Sequence, residues 1–396
     1  MLDFASSLYL GMHHPSSALE PWSALTLGRP AALQESGQAR AAAAELAALV
    51  GCEAGTLLPS TLHLFWDLLG VLSREPVEIF MDAGTYPIAR WGAEHWAGQG
   101  VPLRRFARHD ATALAQLLAQ HSGASLATTS PSPVQRPPSH LRSHEPSHQT
   151  SHQRSRLIVL CDGVCPGSTS QPPLAAYAAL ARRHRGWLVV DDTQALGVFG
   201  HSTTPAAPYG HGGGGSLQRH GIGGSHVIVG ASLAKGFGVP VALLAGSFDL
   251  LQRFENESAS REHMSPPSMA TVQATRHALA VNRQHGDRLR LRLWLAVRRL
   301  RAGLARAGLA TQGDDFAVQT LAAAPGLDAV RLHAELLRGG VCSVLHRDRG
   351  GGARLSFVVR ADHTAVHIDR ALSLLTARQQ ASARSPLFNW RTSCMQ

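Results

Sequence analysis

Lysine is almost absent from this 396-residue chain: Lys235 stands alone among 37 basic residues, the rest being arginine. Arginine supplies positive charge but is not deprotonated to a nucleophilic amine, so nearly every basic side chain here is excluded from amine chemistry. No apolar run approaches the ~20 residues that span a bilayer, and no basic segment leads into an apolar core at the start; a soluble protein is expected. Five cysteines (Cys52, Cys161, Cys165, Cys342 and Cys394) are odd in number and form no CxxC pair. That pattern argues against a disulfide framework or a structural zinc and fits a reducing cytoplasm. The formal charge is +10, yet no basic run is interleaved with aromatics. Neither nucleic acid nor a membrane is therefore an expected partner, and the charge leaves only a bias toward anionic ligands.

What is present is enough apolar residue for a large core, and a length that suggests two lobes, since single cores stop growing near ~250–300 residues. After an opening arm, Ala41 to Val50 reads as an alanine-rich helix closed by Gly51. Thr56 to Thr61 leads into a helical stretch from Leu62 to Leu72. Short apolar runs then alternate with helices: Val77 to Met81, Val101 to Phe106, Leu157 to Leu160, Trp187 to Val190 and Val227 to Val229. This alternation predicts an α/β fold, a mainly parallel sheet covered by helices on both faces. Ligands bind beyond the carboxyl ends of such strands, where Asp82, Asp162, Asp191 and Lys235 fall. A long helix over 266–309 joins this large domain to a smaller α+β unit. The expected boundaries are an arm over 1–36, a large domain over 37–265, a helix and small domain over 266–380, and a tail over 381–396.

Two segments interrupt the pattern. Residues 124–156 are rich in Ser, Pro, His, Gln and Arg, with Ser-His pairs at 139, 143, 147 and 151. Histidines four apart suit a metal on a helix face, but Pro146 sits inside the run and little apolar residue is available, so a disordered surface insertion is expected and no metal is assigned. The second, 201–224, carries Gly212 to Gly215 and reads as a flexible active-site loop or linker, because no strand–GxGxxG–helix context surrounds it.

An acid at a strand end, Asp191, with a lysine on the next strand-to-loop crossing, is what a pyridoxal-phosphate site requires. The lysine forms a Schiff base with the aldehyde, and the carboxylate keeps the ring nitrogen protonated. A desolvated pocket and a nearby cation would lower the lysine pKa toward the neutral amine. Taken singly, Lys235 also reads as a chance survivor of an arginine-biased composition and Asp191 as a solvated strand-end acid.

The stretches Trp187-Leu188-Val189-Val190-Asp191-Asp192-Thr193-Gln194-Ala195-Leu196-Gly197 and Ser232-Leu233-Ala234-Lys235-Gly236 resemble the α-oxoamine synthase group of pyridoxal-phosphate enzymes, which includes 8-amino-7-oxononanoate synthase. The resemblance extends to Asp3-Phe4, Tyr9-Leu10-Gly11, Phe106 to Asp110, Asp162-Gly163-Val164 and Ala353-Arg354-Leu355. It implies the aspartate-aminotransferase fold (fold-type I), pyridoxal 5'-phosphate as cofactor and a homodimer. By the same resemblance Lys235 carries the aldehyde, Asp191 pairs with the pyridine nitrogen and Gln194 bonds the ring oxygen. Tyr86 stacks on the ring, Ser232 contacts the phosphate or its surroundings, and the Ser60, Thr61, Leu62 segment holds phosphate. Arg347 receives the substrate carboxylate, for which a guanidinium fork is suited; a surface arginine is the plain alternative. For Ser60 and Thr61 the plain alternative is helix capping.

Three positions depart from the group's pattern. Tyr86 and Gln194 replace histidines, and Pro166 replaces a serine, with Cys165 adjacent. Tyrosine stacks well but carries protons poorly near neutral pH, its reference pKa being ~10. The implied activity is decarboxylative condensation of an amino acid with an acyl thioester, carried on coenzyme A or an acyl-carrier protein. Transamination uses the same lysine and aspartate and stays open, as does a scaffold protein that kept the fold and lost turnover.

Overall fold

The structure, a computed structural model, describes residues 1–127, 155–324, 327–347 and 351–384. Residues 128–154, most of the Ser/His-rich insertion with all four of its pairs, and the end of the tail lie outside the described residues. The order is β1 (Leu2–Asp3), a 3-10 turn (Ser16–Leu19), α1 (Gly37–Val50), β2 (Ala54–Leu58), α2 (Thr61–Leu72), β3 (Val77–Asp82), α3 (Pro87–Gly98) and β4 (Leu103–Phe106). Next come α4 (Ala111–Ala127), β5 (Arg156–Asp162), α5 (Leu174–Arg183), β6 (Trp187–Asp191), α6 (Gly215–His220), β7 (Val227–Ser232) and β8 (Ala242–Gly246). The remainder is α7 (Phe248–Glu257), α8 (Ala259–His263), α9 (Met269–Arg306), β9 (Thr311–Gln312), β10 (Val318–Leu321), α10 (Ala329–Arg338), β11 (Val341–Cys342), β12 (Val344–Arg347), β13 (Ala353–Val358) and α11 (Ala365–Arg384).

Seven strands form the central sheet in the order β2-β8-β7-β6-β5-β3-β4. From β4 to β7 every pairing is parallel, and β8 alone runs against both of its neighbours. The apolar runs of β5 and β6 are buried throughout because alternate side chains enter different cores. Ile158 and Val189 join Leu64, Phe65 and Leu68 of α2 on one face. Val159, Leu188 and Val190 join Tyr177 of α5 and the α1 alanines on the other. Helix α1 starts four residues earlier than Ala41, where Ser36 Oγ accepts the Ala39 N–H at 3.0 Å, and it closes as expected at Gly51, φ 83°.

A four-stranded antiparallel sheet, β12-β13-β10-β9, makes the smaller unit with α10 and α11. Helix α9, 38 residues and so about 57 Å long, runs between α1 and α11. The arm is bound to the smaller unit. β1 pairs parallel with β11, Val358 N–H donates to the Phe4 carbonyl at 2.7 Å, and Ala361 N–H to the Tyr9 carbonyl at 2.8 Å. Those bonds fix Tyr9 where the two units meet, edge-on to Phe316 with centroids 5.4 Å apart.

Two expectations change. The lead-in to α2 contains a strand, β2, which gains its order by pairing antiparallel with β8 from Ala54↔Gly246 to Leu58↔Ala242. Within 201–224 the glycine run is packed rather than loose, while 201–206 and most of 219–224 are exposed. A Cβ at Gly213 would meet Arg290, one at Gly214 the Leu49 carbonyl, and one at Gly215 the Asp192 carboxylate. These glycines serve close backbone approach, and the first turn of α6 is held by Asp192, whose Oδ2 accepts the Ser216 N–H at 3.0 Å.

Candidate active site

Strands β5 and β6 end side by side, with Asp162 and Asp191 as register partners. Beside them β7 ends at Ser232, three residues before Lys235. Strand order alone thus gathers residues 162, 191 and 235 at one edge of the sheet. Asp191 is buried and its Oδ1 accepts the Thr193 N–H at 3.1 Å. Thr193 Oγ1 in turn accepts the Ser232 N–H at 2.9 Å, so one threonine ties the acid to the lysine turn. Within the turn Ala234 N–H donates to Ser232 Oγ at 3.3 Å. Gly236 packs on the backbone of Leu196 and Gly197, where a Cβ would collide with the Leu196 carbonyl oxygen.

Burial dominates the electrostatics. It lowers the Lys235 pKa against the opposing pull of Asp191 and Asp162. It raises Asp191, against hydrogen bonds from Thr193 and the charge of Lys235. Asp162 is pushed up to about 8, by burial first and then by Asp191, although Tyr86 N–H donates to its Oδ1 at 3.0 Å and its Oδ2 at 3.1 Å. Lysine and acids are all drawn toward their neutral forms, the condition for a nucleophilic amine. The expected cation beside Lys235 is not what lowers its pKa; desolvation does so in the company of two carboxyl groups.

The other expected residues distribute as follows. Tyr86, at the start of α3, leaves its side chain half exposed (51%), and Lys235 Nζ lies 5.8 Å from its ring centroid. Gln194 accepts a hydrogen bond at Oε1 from Tyr9 Oη, 2.5 Å away. Ser60 caps α2, taking the His63 N–H at 3.5 Å and pairing with His63 Nδ1 at 2.8 Å; Thr61 and Leu62 form the first turn of that helix. Arg347 ends β12, exposed and opposite Ala353. Lys235, Asp191, Ser232 and Tyr86 are therefore linked by bonds or close approach, whereas among the described residues no hydrogen bond or ion pair joins Arg347 or the α2 terminus to them.

Cys165, beside the departing Pro166, lies 3.2 Å from His109 Nε2 and 3.7 Å from Asp162 Oδ2, with its thiol pushed up to about 12 by burial. Asp82, expected among the site acids, is instead a structural hub: Tyr177 Oη donates to its Oδ2 at 2.7 Å, and the Gly84 and His109 N–H groups donate at 2.7 and 3.0 Å. Sequence reasoning gave no role to Thr193, Tyr9 or His63. The Asp-x-Thr spacing was a usable sign for Thr193, since an acid bonds readily to the backbone two residues on. Tyr9 meets Gln194 across 185 positions and leaves no local sign.

This donor set suits pyridoxal phosphate. The lysine is drawn toward its neutral form, the carboxyl at the neighbouring strand end is buried with Lys235 as its cation, and a half-exposed aromatic ring lies beside the lysine. Among the described residues no group of three or more His, Cys, Asp or Glu is placed to hold a metal.

A mainly parallel seven-stranded sheet with one reversed strand, and a lysine and acid at adjoining strand ends, define an α/β enzyme of the aminotransferase type. The chain belongs to the aminotransferase class I and II family, whose pattern matches residues 40–375. The 8-amino-7-oxononanoate synthase of Thioalkalivibrio sulfidiphilus is 31% identical over 229 residues, 57% of this chain and only 56% of that protein. The enzyme of the same name from Stutzerimonas stutzeri is 28% identical over 375 residues, 94% of this chain and 78% of the other. In fold the chain is similar to a serine palmitoyltransferase from S. paucimobilis solved with a PLP–myriocin aldimine bound. The TM-score is 0.75 at 17% identity, covering 96% of this chain and 88% of that one. No helix among the described residues is long and apolar enough to cross a membrane.

Proposed function

We propose that this chain is a pyridoxal 5'-phosphate-dependent transferase that condenses an amino acid with an acyl thioester, releasing carbon dioxide and the thiol. The observation that carries the reading is Lys235, its pKa lowered by burial, at a strand end beside Asp191 and facing the open ring of Tyr86. The condensation rather than another reaction of the family is supported by the motif resemblance and by the names of the curated relatives.

Bound pyridoxal phosphate supplies an aldehyde carbon for amines and a ring that withdraws electrons from the substrate α-carbon. Lys235 would hold the aldehyde carbon, Asp191 the ring nitrogen and Gln194 the ring oxygen. Ser232 would hold phosphate together with Ser60, Thr61 and Leu62 at the N-terminus of α2, where unpaired N–H groups favour an anion. Tyr86 would cover the ring and exclude water. The Lys235 amine would also be the chain's group for taking a proton from the substrate carbon and returning it. With its pKa at about 8, Asp162 is largely protonated at neutral pH and adds little second negative charge beside Asp191. Asp191 would face the ring nitrogen, its carboxyl raised by burial and held back by the Thr193 hydrogen bonds and the Lys235 charge. Arg347 would take the substrate carboxylate in a two-pronged hydrogen bond. The acyl group arrives on coenzyme A or an acyl-carrier protein. A cytoplasmic homodimer fits these substrates and the exposed indoles of α2 and α3, where Trp66 and Trp91 are 44% and 51% exposed.

The test is to load the purified chain with pyridoxal phosphate and supply amino acids and acyl thioesters in pairs. Thiol and carbon dioxide released together, in equal amounts, are expected. Keto acid formed without thiol would replace condensation by transamination, and a protein that stays colourless with the cofactor would remove both.

A further inference from the structure

Gln194 raises a question that its position alone leaves open, because an amide presents a carbonyl on one side and an N–H pair on the other. The two ends have opposite effects on a ligand oxygen. The structure answers it through Tyr9, a residue of the N-terminal arm that is 1% exposed. Tyr9 Oη lies 2.5 Å from Gln194 Oε1 and donates to it. The donor role follows from the partner atom and from burial: an amide oxygen only accepts, and burial raises the phenol well above its ordinary pKa, so it keeps the proton it donates. Gln194 Nε2 has no hydrogen bond among the described residues, yet it is not sealed from solvent.

We infer that Tyr9 is a positioning residue that locks the Gln194 amide with its N–H pair turned into the active-site cleft, as a donor for an oxygen of the bound cofactor. This rests on the proposed cofactor, and it adds a residue and an orientation to that reading. An amide N–H does not titrate, whereas an imidazole in its place changes charge near neutral pH. The Tyr9–Gln194 pair thus supplies a donor whose state is the same on both sides of pH 7. The arm's attachment to β11 and β13 holds the phenol in place, and Phe316 packs edge-on against its ring at 5.4 Å.

The experiment titrates pyridoxal phosphate into the full-length cofactor-free chain, following binding by absorbance and by the thermal shift of the apoprotein. Four forms are compared: wild type, Tyr9→Phe, Gln194→Ala and the double variant. Losing one neutral hydrogen bond corresponds to a change of about fivefold. Tyr9→Phe is expected to weaken binding by about that factor in the wild-type background and by less than about twofold when Gln194 is already alanine. Gln194→Glu keeps an acceptor for Tyr9 and turns an oxygen toward the ligand; a loss of about tenfold or more is expected. Equal weakening by Tyr9→Phe in both backgrounds, with cofactor still bound, would overturn the inference and leave the proposed function standing. A glutamate variant that binds as tightly as wild type would do the same. A wild type that takes up no cofactor would remove the proposed function and this inference with it.

Discussion

Asp162 and Asp192 show how much single carboxyl groups decide in this protein. Both are buried, and burial raises them to about 8 and about 7 from an ordinary 3.8. Between the ordinary and the raised value the folded chain holds protons that the unfolded chain has lost. Stability is therefore fully present below the ordinary value and falls as pH rises through the raised one. Groups whose values are lowered, the histidines His14, His109 and His363 and the amine of Lys235, slope the other way, because the unfolded chain keeps their protons longer. The Asp162 contribution is isolated by comparison: between pH 6.5 and pH 8.5 the melting temperature of the cofactor-free Asp162→Asn variant should fall less, or rise more, than that of wild type. The same change in both proteins would show that the Asp162 carboxyl is ionised at little cost.

Among the elements, the turn after β7 is tightly constrained by backbone contact. Gly236 lies against the Leu196 carbonyl, and Gly197 opposite it adopts φ 85°, a left-handed conformation that glycine tolerates and other residues rarely do. Gly236→Ala must move either the lysine turn or the 196–197 backbone. A loss of about 1–3 kcal/mol in denaturant unfolding is expected, with weakened cofactor binding, since the displaced turn carries Lys235. An alanine variant as stable as wild type would mean that the turn has room. Sequence patterning reached most elements of the large domain, because strands such as Leu157 to Leu160 and Trp187 to Val190 are apolar on both faces and stop at an acid. It did not reach β2, whose Ala-Gly-Thr start has little strand preference and which is ordered by pairing with β8. Nor did it reach the packing of 212–215, since a glycine run looks the same in sequence whether it is free or pressed against Arg290 and Asp192.

At the scale of the whole molecule, three distant segments converge on one site. The strand ends supply Asp162, Asp191 and Lys235, the arm supplies Tyr9, and α9 braces the loop behind the site. In that brace Arg290, 2% exposed, donates from Nη1 to the Gly197 carbonyl and to Asn282 Oδ1, both at 2.9 Å. The lysine, its acid and the sheet that joins them were legible in sequence because parallel strand ends share one edge. Tyr9 and Arg290 were not, because their partners lie 185 and 93 positions away and no periodicity records such pairs. Arg347 shows the converse: a residue assigned by resemblance stands at an exposed strand end, and among the described residues no hydrogen bond or ion pair ties it to the rest of the site.

The central claim is that Lys235 carries the cofactor, and the composition makes it unusually easy to test, since this chain has a single lysine. Pyridoxal phosphate is added to the purified chain, the adduct is reduced with borohydride, and the labelled peptide is identified by mass spectrometry. One adduct on Lys235 is predicted, with a band near ~420 nm before reduction that is absent in Lys235→Ala. No adduct, or label confined to the N-terminal amine with Lys235 untouched, would contradict the account.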